Sequence, residues 1–541
     1  MTAHPRFADP LPPGEGGRRP GEGLALFLLL IAIAAVAFTQ SYERWLDPII
    51  DTGRDLYIPE QLAHGARLYR DIRYQYPPFA PYLLALLTSI IGHSLASYTV
   101  IGLLQSIVIA AALWAIGRRT AGTLAGFVGS LFFVALSFCG ATTWGANFLF
   151  PYSYGTTIGI ALIVISLALF LFDHSSLALA ALFFASWCKV EYALAALLLV
   201  VVLAAGRRIS LRQIVPFLVA EVVAIAAAVL YFPHFRENVL AESLTRGEPA
   251  RRFFESVSGV TDWRGSVAAA LLALLGIVAI VWLLRSVRLQ IAVPAVLAIS
   301  ILISTHAFFR AWGPLQIVGL VQGFRQRNSV LLTLSAFSIA TTLRIPLNVS
   351  PFWYGFAFIV PTYALIAYVL FDYVQLGARA MWWLPLVALL CGRDLIEQHQ
   401  RYAQKAFAIQ SPRGTLYDVN PDRAFAFTDF LRHVHGGTLV VFPEGLTLNY
   451  LSASRNPIRF HTFTPVETAS RGVEDSIVSE LAATPPDRVV VLTRDVREYG
   501  YRGFGIDYDR RLFDYIVKHY SVIHYWNRPG FRMILLARGH V

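Results

Sequence analysis

A polytopic α-helical membrane protein with a soluble α/β domain at its C-terminal end is the fold class this sequence predicts, on two observations. The first is composition: of 541 residues, 56% are hydrophobic and only 15% charged, a balance unlike that of water-soluble domains. The second is arrangement. Apolar residues come in long continuous runs, many close to the roughly 18 to 20 residues an α-helix needs to cross about 30 Å of hydrocarbon. These runs lack the alternation of a membrane β-barrel.

Residues 1–23, rich in Pro and Gly, are expected to form a disordered cytoplasmic tail. No small-residue cleavage site follows, so a cleaved signal peptide is disfavoured. The transmembrane domain is expected over 24–397. Its first span, 24–38, enters from the basic tail, so the loop from 42 to 92 faces outside. Within that loop 82–91 is too short to cross and is expected to lie along the outer surface. Residues 95–116 then descend to Arg118 and Arg119, 124–138 return, and 139–154 form a second external loop. Residues 156–172 go in. The run 177–201 is interrupted by Lys189, Val190 and Glu191. A charged pair at membrane depth is costly unless it faces protein or water, so the run reads as two helices meeting at an external turn.

Residues 215–232 lead out to a basic loop over 233–264. Spans follow at 267–284 and 291–308, then a short 312–322, a rise over 330–342 to Arg344, a descent over 356–371 and a rise over 382–390. The sum is about thirteen crossings, an odd number that leaves the C-terminal domain, 398–541, outside. There 438–442, 488–492 and 533–536 read as short buried strands and 422–433, 473–483 and 510–519 as helices, the alternation of a small α/β domain. Pro443, Glu444 and Gly445 follow the first strand, where such domains commonly bind ligands; a tight turn without a ligand is the preferred reading of them.

A net charge of +11 raises the question of nucleic acid, but the arginines are dispersed between apolar runs and read as topology signals. No nucleic-acid partner is expected; membrane lipids are. The three cysteines, Cys139, Cys188 and Cys391, fall in or beside apolar segments and suggest neither a disulfide framework nor a metal site. No cofactor is required. A divalent metal is compatible with an acidic loop, yet no ligand spacing supports one.

The first external loop is the chemically loaded stretch. It holds Asp47, Asp51, Asp55, Arg54 and a Tyr-Pro-Pro of Tyr76, Pro77 and Pro78 between hydrophobic segments. In a helix, Asp51, Arg54 and Asp55 stand at i, i+3 and i+4 and share a face, which sets a carboxylate beside a guanidinium at the membrane surface. An ion pair capping a short interfacial helix would have the same spacing. By composition alone any of the three aspartates could act as a base; Asp47 precedes a proline and reads as a helix-start residue.

At these residues the sequence resembles the GT-C superfamily, integral-membrane glycosyltransferases that use polyprenyl-phosphate sugars and include protein O-mannosyltransferases and the aminoarabinose transferase of lipid A. The similarity rests on Asp-x-x-Arg (Asp51, Arg54) past the first span, Gly-x-x-x-Tyr-Arg-Asp (Gly65, Tyr69, Arg70, Asp71) and the Tyr-Pro-Pro. It covers about the first two hundred residues by motif and the rest by topology. The resemblance implies that Asp51 is the catalytic carboxylate, that the donor is a polyprenyl-phosphate sugar, and that transfer inverts the anomeric centre. Two departures matter. The second external loop, 139–154, lacks the second acid that several members carry, leaving Asn147 as its polar candidate. Tyr76 also stands where the aminoarabinose transferase has a lysine.

Such transfer needs a base for the acceptor hydroxyl, cations for the departing phosphate and an apolar groove for the prenyl tail. Asp51 is the candidate base. Arg54, whose fork matches phosphate oxygens, Lys189, Arg344 and Tyr76 are the candidate phosphate ligands, with Asp55, Glu191 and Asn147 in support. Alternatively, Lys189 and Glu191 neutralise each other and Arg344 snorkels. The expected acceptor is a lipid, glycan or protein at the periplasmic face of a bacterial inner membrane. Two other classes stand beside this one: a transporter or flippase for a lipid-linked saccharide, against which there is no inverted repeat, and a membrane-anchored cell-envelope assembly protein acting through its C-terminal domain.

Overall fold

The computed structural model describes residues 21–140, 145–241, 247–259, 305–373, 381, 383–468 and 472–539. The expected tail up to residue 20, the span 267–284 and most of 291–308 lie outside the described residues.

The N-terminal part is helical. Its helices are α1 (Glu22–Ser41), α2 (Thr52–Ala63), α3 (Phe79–Ile91), α4 (Leu95–Ala121), α5 (Thr123–Phe133), α6 (Tyr154–Leu171), α7 (Ser175–Ser186), α8 (Val190–Ala205), α9 (Leu211–Tyr231), α10 (Gly247–Ser258), α11 (Thr305–Arg325), α12 (Ser329–Thr342), α13 (Val360–Tyr368) and α14 (Trp383–Ala403). Among the described residues, α1, α4, α6 and α9 are long and apolar enough to cross a membrane, while α3, α5, α7, α8, α12 and α13 are apolar and shorter. The run broken by Lys189 is indeed two helices, with Lys189 in extended conformation ahead of α8 (φ −153°, ψ 150°). The described end of the span expected at 291–308, residues 305–308, continues without a break into the segment expected at 312–322 as the single helix α11: Arg310 stays in the helix and its guanidinium reaches Asn348 Oδ1 at 2.8 Å. The last rise runs on to Ala403, because Gln398 donates to the Ala135 carbonyl at 2.6 Å and stays buried.

Beyond α14 come a hairpin of β1 (Phe407–Ser411) and β2 (Gly414–Asp418), helix α15 (Pro421–His433), β3 (Leu439–Phe442), α16 (Leu446–Leu451), α17 (Val473–Ala483), β4 (Arg488–Leu492), α18 (Arg510–His519), β5 (Tyr520–Arg528) and β6 (Phe531–Arg538). The four-stranded sheet has the order β3-β4-β6-β5, with β3 and β4 parallel and β6 antiparallel to both neighbours.

Successive residues of a strand face opposite sides, and β3 uses both. Leu439 and Val441 join the main hydrophobic core shared with the membrane helices, whereas Val440 and Phe442 join a second core with Ile477 and Leu481 of α17 and Leu512 of α18. The C-terminal region therefore does not hang from a linker. It is packed on the helical part through one face of its sheet and α16.

Candidate active site

The site begins at the start of α2. Asp51 is its N-cap residue and holds φ 52°, ψ −46°, a backbone region that non-glycine residues rarely occupy and that tends to mark functional sites. One turn on, Arg54 Nη1 lies 3.3 Å from Asp51 Oδ1, and its Nε lies 3.5 Å from Asp55 Oδ1. That buried Nε makes no hydrogen bond among the described residues, leaving a donor that an anionic oxygen would satisfy. Asp55 is held by the fold: its Oδ2 accepts the Tyr154 N–H at 2.5 Å, placing a carboxylate at the positive end of α6.

The Tyr-Pro-Pro segment brings in the second cation. Phe79 N–H donates to the Trp187 carbonyl at 3.1 Å, docking the start of α3 on the turn between α7 and α8 that carries Lys189. The Tyr76 ring then packs against two cations, with the Arg54 guanidinium 5.4 Å and the Lys189 ammonium 4.7 Å from its centroid, each in range for a cation–π contact. Burial pushes Lys189 down to about 8, with the charge of Glu191 opposing. Glu191 itself pairs with Arg344, and Arg344 also lies 5.0 Å from the Tyr354 centroid.

These groups line one cavity of about 670 Å³. Asp51, Arg54, Tyr76, Lys189, Glu191 and Arg344 form its polar part, Leu194, Phe253, Phe254, Leu343 and Phe358 an apolar wall, and Glu444, Thr462, Thr464 and Tyr499 the side contributed by the C-terminal region. Asn147 is not among the lining residues. It is fully buried, its amide donating to the Trp45 carbonyl at 3.1 Å and its carbonyl oxygen accepting the Phe150 N–H at 2.6 Å. Asp47 likewise sits away, accepting the Ile49 and Ile50 N–H groups at 2.8 and 3.0 Å and meeting Arg423 at 3.4 Å.

Glu444, read from sequence as part of a tight turn after the first strand of the C-terminal region, is brought beside Asp51: its Oε1 accepts the Asp51 N–H at 2.8 Å, and its Oε2 takes Arg494 Nε at 2.9 Å. Burial pushes its carboxyl up, to about 7, against the pull of Arg494. Tyr152, Tyr354 and Tyr499 also line the cavity and were not singled out from the sequence as site residues. Further ties join the first loop to the C-terminal region: Asn456 N–H to Tyr57 Oη at 2.7 Å, Arg413 to Glu60 at 2.6 Å, and Gln75 to Glu467 at 2.7 Å. Among the described residues, no three of His, Cys, Asp and Glu are grouped as a metal ion would need.

No protein-family model matches the chain, and no curated protein does. Among solved structures the chain is similar to ArnT from Cupriavidus metallidurans bound to undecaprenyl phosphate, at 17% identity over 95% of this chain and 98% of that one, with a TM-score of 0.47. It is also similar to the apo oligosaccharyltransferase of Archaeoglobus fulgidus, at 15% identity over 96% of this chain and 75% of that one, with a TM-score of 0.49. Likeness at this level carries no substrate over to this chain.

Proposed function

We propose that the protein is a glycosyltransferase of the GT-C type that moves a sugar from a polyprenyl-phosphate donor to a lipid, glycan or protein acceptor. The observation that carries this reading is the convergence of Arg54, Lys189 and Arg344 around Asp51 in a single cavity with an apolar wall. A phosphodiester gains a negative charge as its sugar leaves, and cations already in place stabilise that charge without reorganising.

In the proposed reaction Asp51 takes the proton of the acceptor hydroxyl as that oxygen attacks C1 of the sugar. The bond from C1 to the phosphate oxygen breaks, its electron pair leaving with polyprenyl phosphate. Arg54 offers the phosphate its fork and unmet Nε donor, with Lys189 and Arg344 beside it and the Tyr76 ring packed against Arg54 and Lys189. Single displacement inverts the anomeric centre. Asp55 and Glu191 orient Arg54 and Arg344. The apolar wall of Leu194, Phe253, Phe254 and Leu343 receives the first isoprene units.

The same reading sets about thirteen crossings across a bacterial inner membrane, a cytoplasmic tail over 1–23, a transmembrane domain over 24–397 and a periplasmic domain over 398–541. The test is purified protein in detergent with a panel of radiolabelled polyprenyl-phosphate sugars, scored by release of polyprenyl phosphate. Release from none of them, with protein shown to be folded, would sink the proposal.

A further inference from the structure

Glu444 has no role in the reaction above, although it lines the same cavity as Asp51. Its side chain is 7% exposed and that of its partner Arg494 is 8% exposed, so this ion pair is set inside the protein. Arg494 is held from behind by Glu498 at 2.8 Å. The other oxygen of Glu444 accepts the N–H of Asp51, the residue whose backbone stands at φ 52°. A side-chain-bearing residue persists in that region only when its surroundings hold it there. The hydrogen bond from Glu444 is such a hold, and it comes from 393 residues away.

A second contact places Glu444 itself. Gly445 (φ 140°) opens into α16, whose first residues lie against Gly53 so closely that a Cβ there would be 2.1 Å from Thr447 N and 2.7 Å from the Leu446 carbonyl carbon. The chain two residues after Asp51 and the chain two residues after Glu444 thus meet backbone to backbone. Hydrogen bond and close approach bracket Asp51 from both sides.

We infer that Glu444, anchored by Arg494, is a positioning residue that holds the Asp51 backbone and so aims its carboxylate into the cavity, making the C-terminal region an obligatory part of the active site. The inference rests on the reading of Asp51 as the base. What Asp51 needs from Glu444 is an acceptor oxygen at the right reach, and that separates the inference from a purely structural ion pair. Glu444→Gln keeps the reach and an acceptor oxygen but loses the charge facing Arg494. Glu444→Asp keeps the charge but withdraws the carboxylate by one methylene.

The experiment compares the full-length variants in detergent for thermal melting, kcat and donor KM, and hydrogen exchange at the Asp51 amide. Glu444→Asp should lower kcat about 10- to 100-fold, as a misplacement near 1 Å does, with KM within about threefold and faster exchange at Asp51. Glu444→Gln keeps an oxygen for the Asp51 N–H but turns an amide N–H group toward the Arg494 donor, so it should lower the melting temperature while exchange at the Asp51 amide stays slower than in Glu444→Asp. The reverse order of exchange, Asp51 exchanging faster in Glu444→Gln than in Glu444→Asp, would overturn the inference in favour of an ion pair serving stability alone, as would wild-type kcat and exchange in both variants. If the wild-type protein uses no polyprenyl-phosphate sugar, the functional reading fails separately, and the exchange rates still decide whether Glu444 holds Asp51.

Discussion

Gly53→Ala adds one methyl group to the protein at the point where the first loop meets α16. The new Cβ would stand 2.1 Å from Thr447 N and 2.7 Å from Thr447 Oγ1, whereas non-bonded heavy atoms rest at about 3.5 Å. Something must therefore move by about 1.4 Å, the difference between that separation and the 2.1 Å contact. The nearest atom belongs to a backbone, so no side chain can swing aside. Overpacking of this kind costs about 1–3 kcal/mol, and the rigidity of the contact puts it toward the upper end. Alanine returns up to about 1 kcal/mol of helix propensity relative to glycine, less at the first turn, so the clash wins. The movement would fall on Asp51 and Glu444, and a shift of about 1 Å near the chemistry is worth about 100-fold in rate. Scanning fluorimetry of the detergent-solubilised protein and a turnover assay give both quantities. A Gly53→Ala protein that melts at or above the wild-type temperature with unchanged turnover would refute the close docking of α16 on the first loop.

Two further outcomes follow from the cations. Arg54→Lys keeps the charge but loses the bidentate fork and the Nε donor, so donor kcat/KM should fall at least about tenfold with unchanged melting; a loss under about twofold would remove Arg54 from the phosphate site. For Lys189, the ammonium form is the one a phosphate needs. With the group pushed down to about 8, it is charged below that pH and loses its charge above it, so kcat/KM for the donor should decline as pH rises past about 8, a pKa of the free enzyme. Lys189→Arg, charged throughout, should flatten that decline, and a wild-type profile flat from pH 7 to 10 would mean Lys189 does not serve the donor.

What the sequence made legible was local. The spacing of Asp51, Arg54 and Asp55 predicts a shared helical face, and in the structure Arg54 touches both acids. The charge at Lys189 inside an apolar run predicts the turn between α7 and α8 because burying it within one helix is costly. Strand 488–492 and helices 473–483 and 510–519 fall at those residues. The hairpin β1–β2 and strand β5 were not foreseen, since β5 is an exposed edge whose Ser521, His524, Asn527 and Arg528 break the apolar pattern. Long-range pairing was out of reach. Nothing near residue 444 shows that its carboxylate meets residue 51, and nothing near Glu191 shows that it pairs with Arg344 rather than with the lysine two positions away. Asn147 was a candidate by residue type, but its amide is used by the backbone carbonyl of Trp45 and its oxygen by the N–H of Phe150.

The central claim is that Asp51 is the base and the surrounding cations hold the phosphate, and Asp51→Asn separates the two most directly. The amide keeps the shape, and removing the carboxylate 3.3 Å from Arg54 releases that guanidinium from a competitor. Measured on one preparation of full-length protein, polyprenyl-phosphate binding should be as tight as in the wild type or tighter, melting should be unchanged, and turnover should fall about 10²- to 10⁴-fold. Turnover above about a tenth of wild type, or loss of binding in step with turnover, would contradict the assignment.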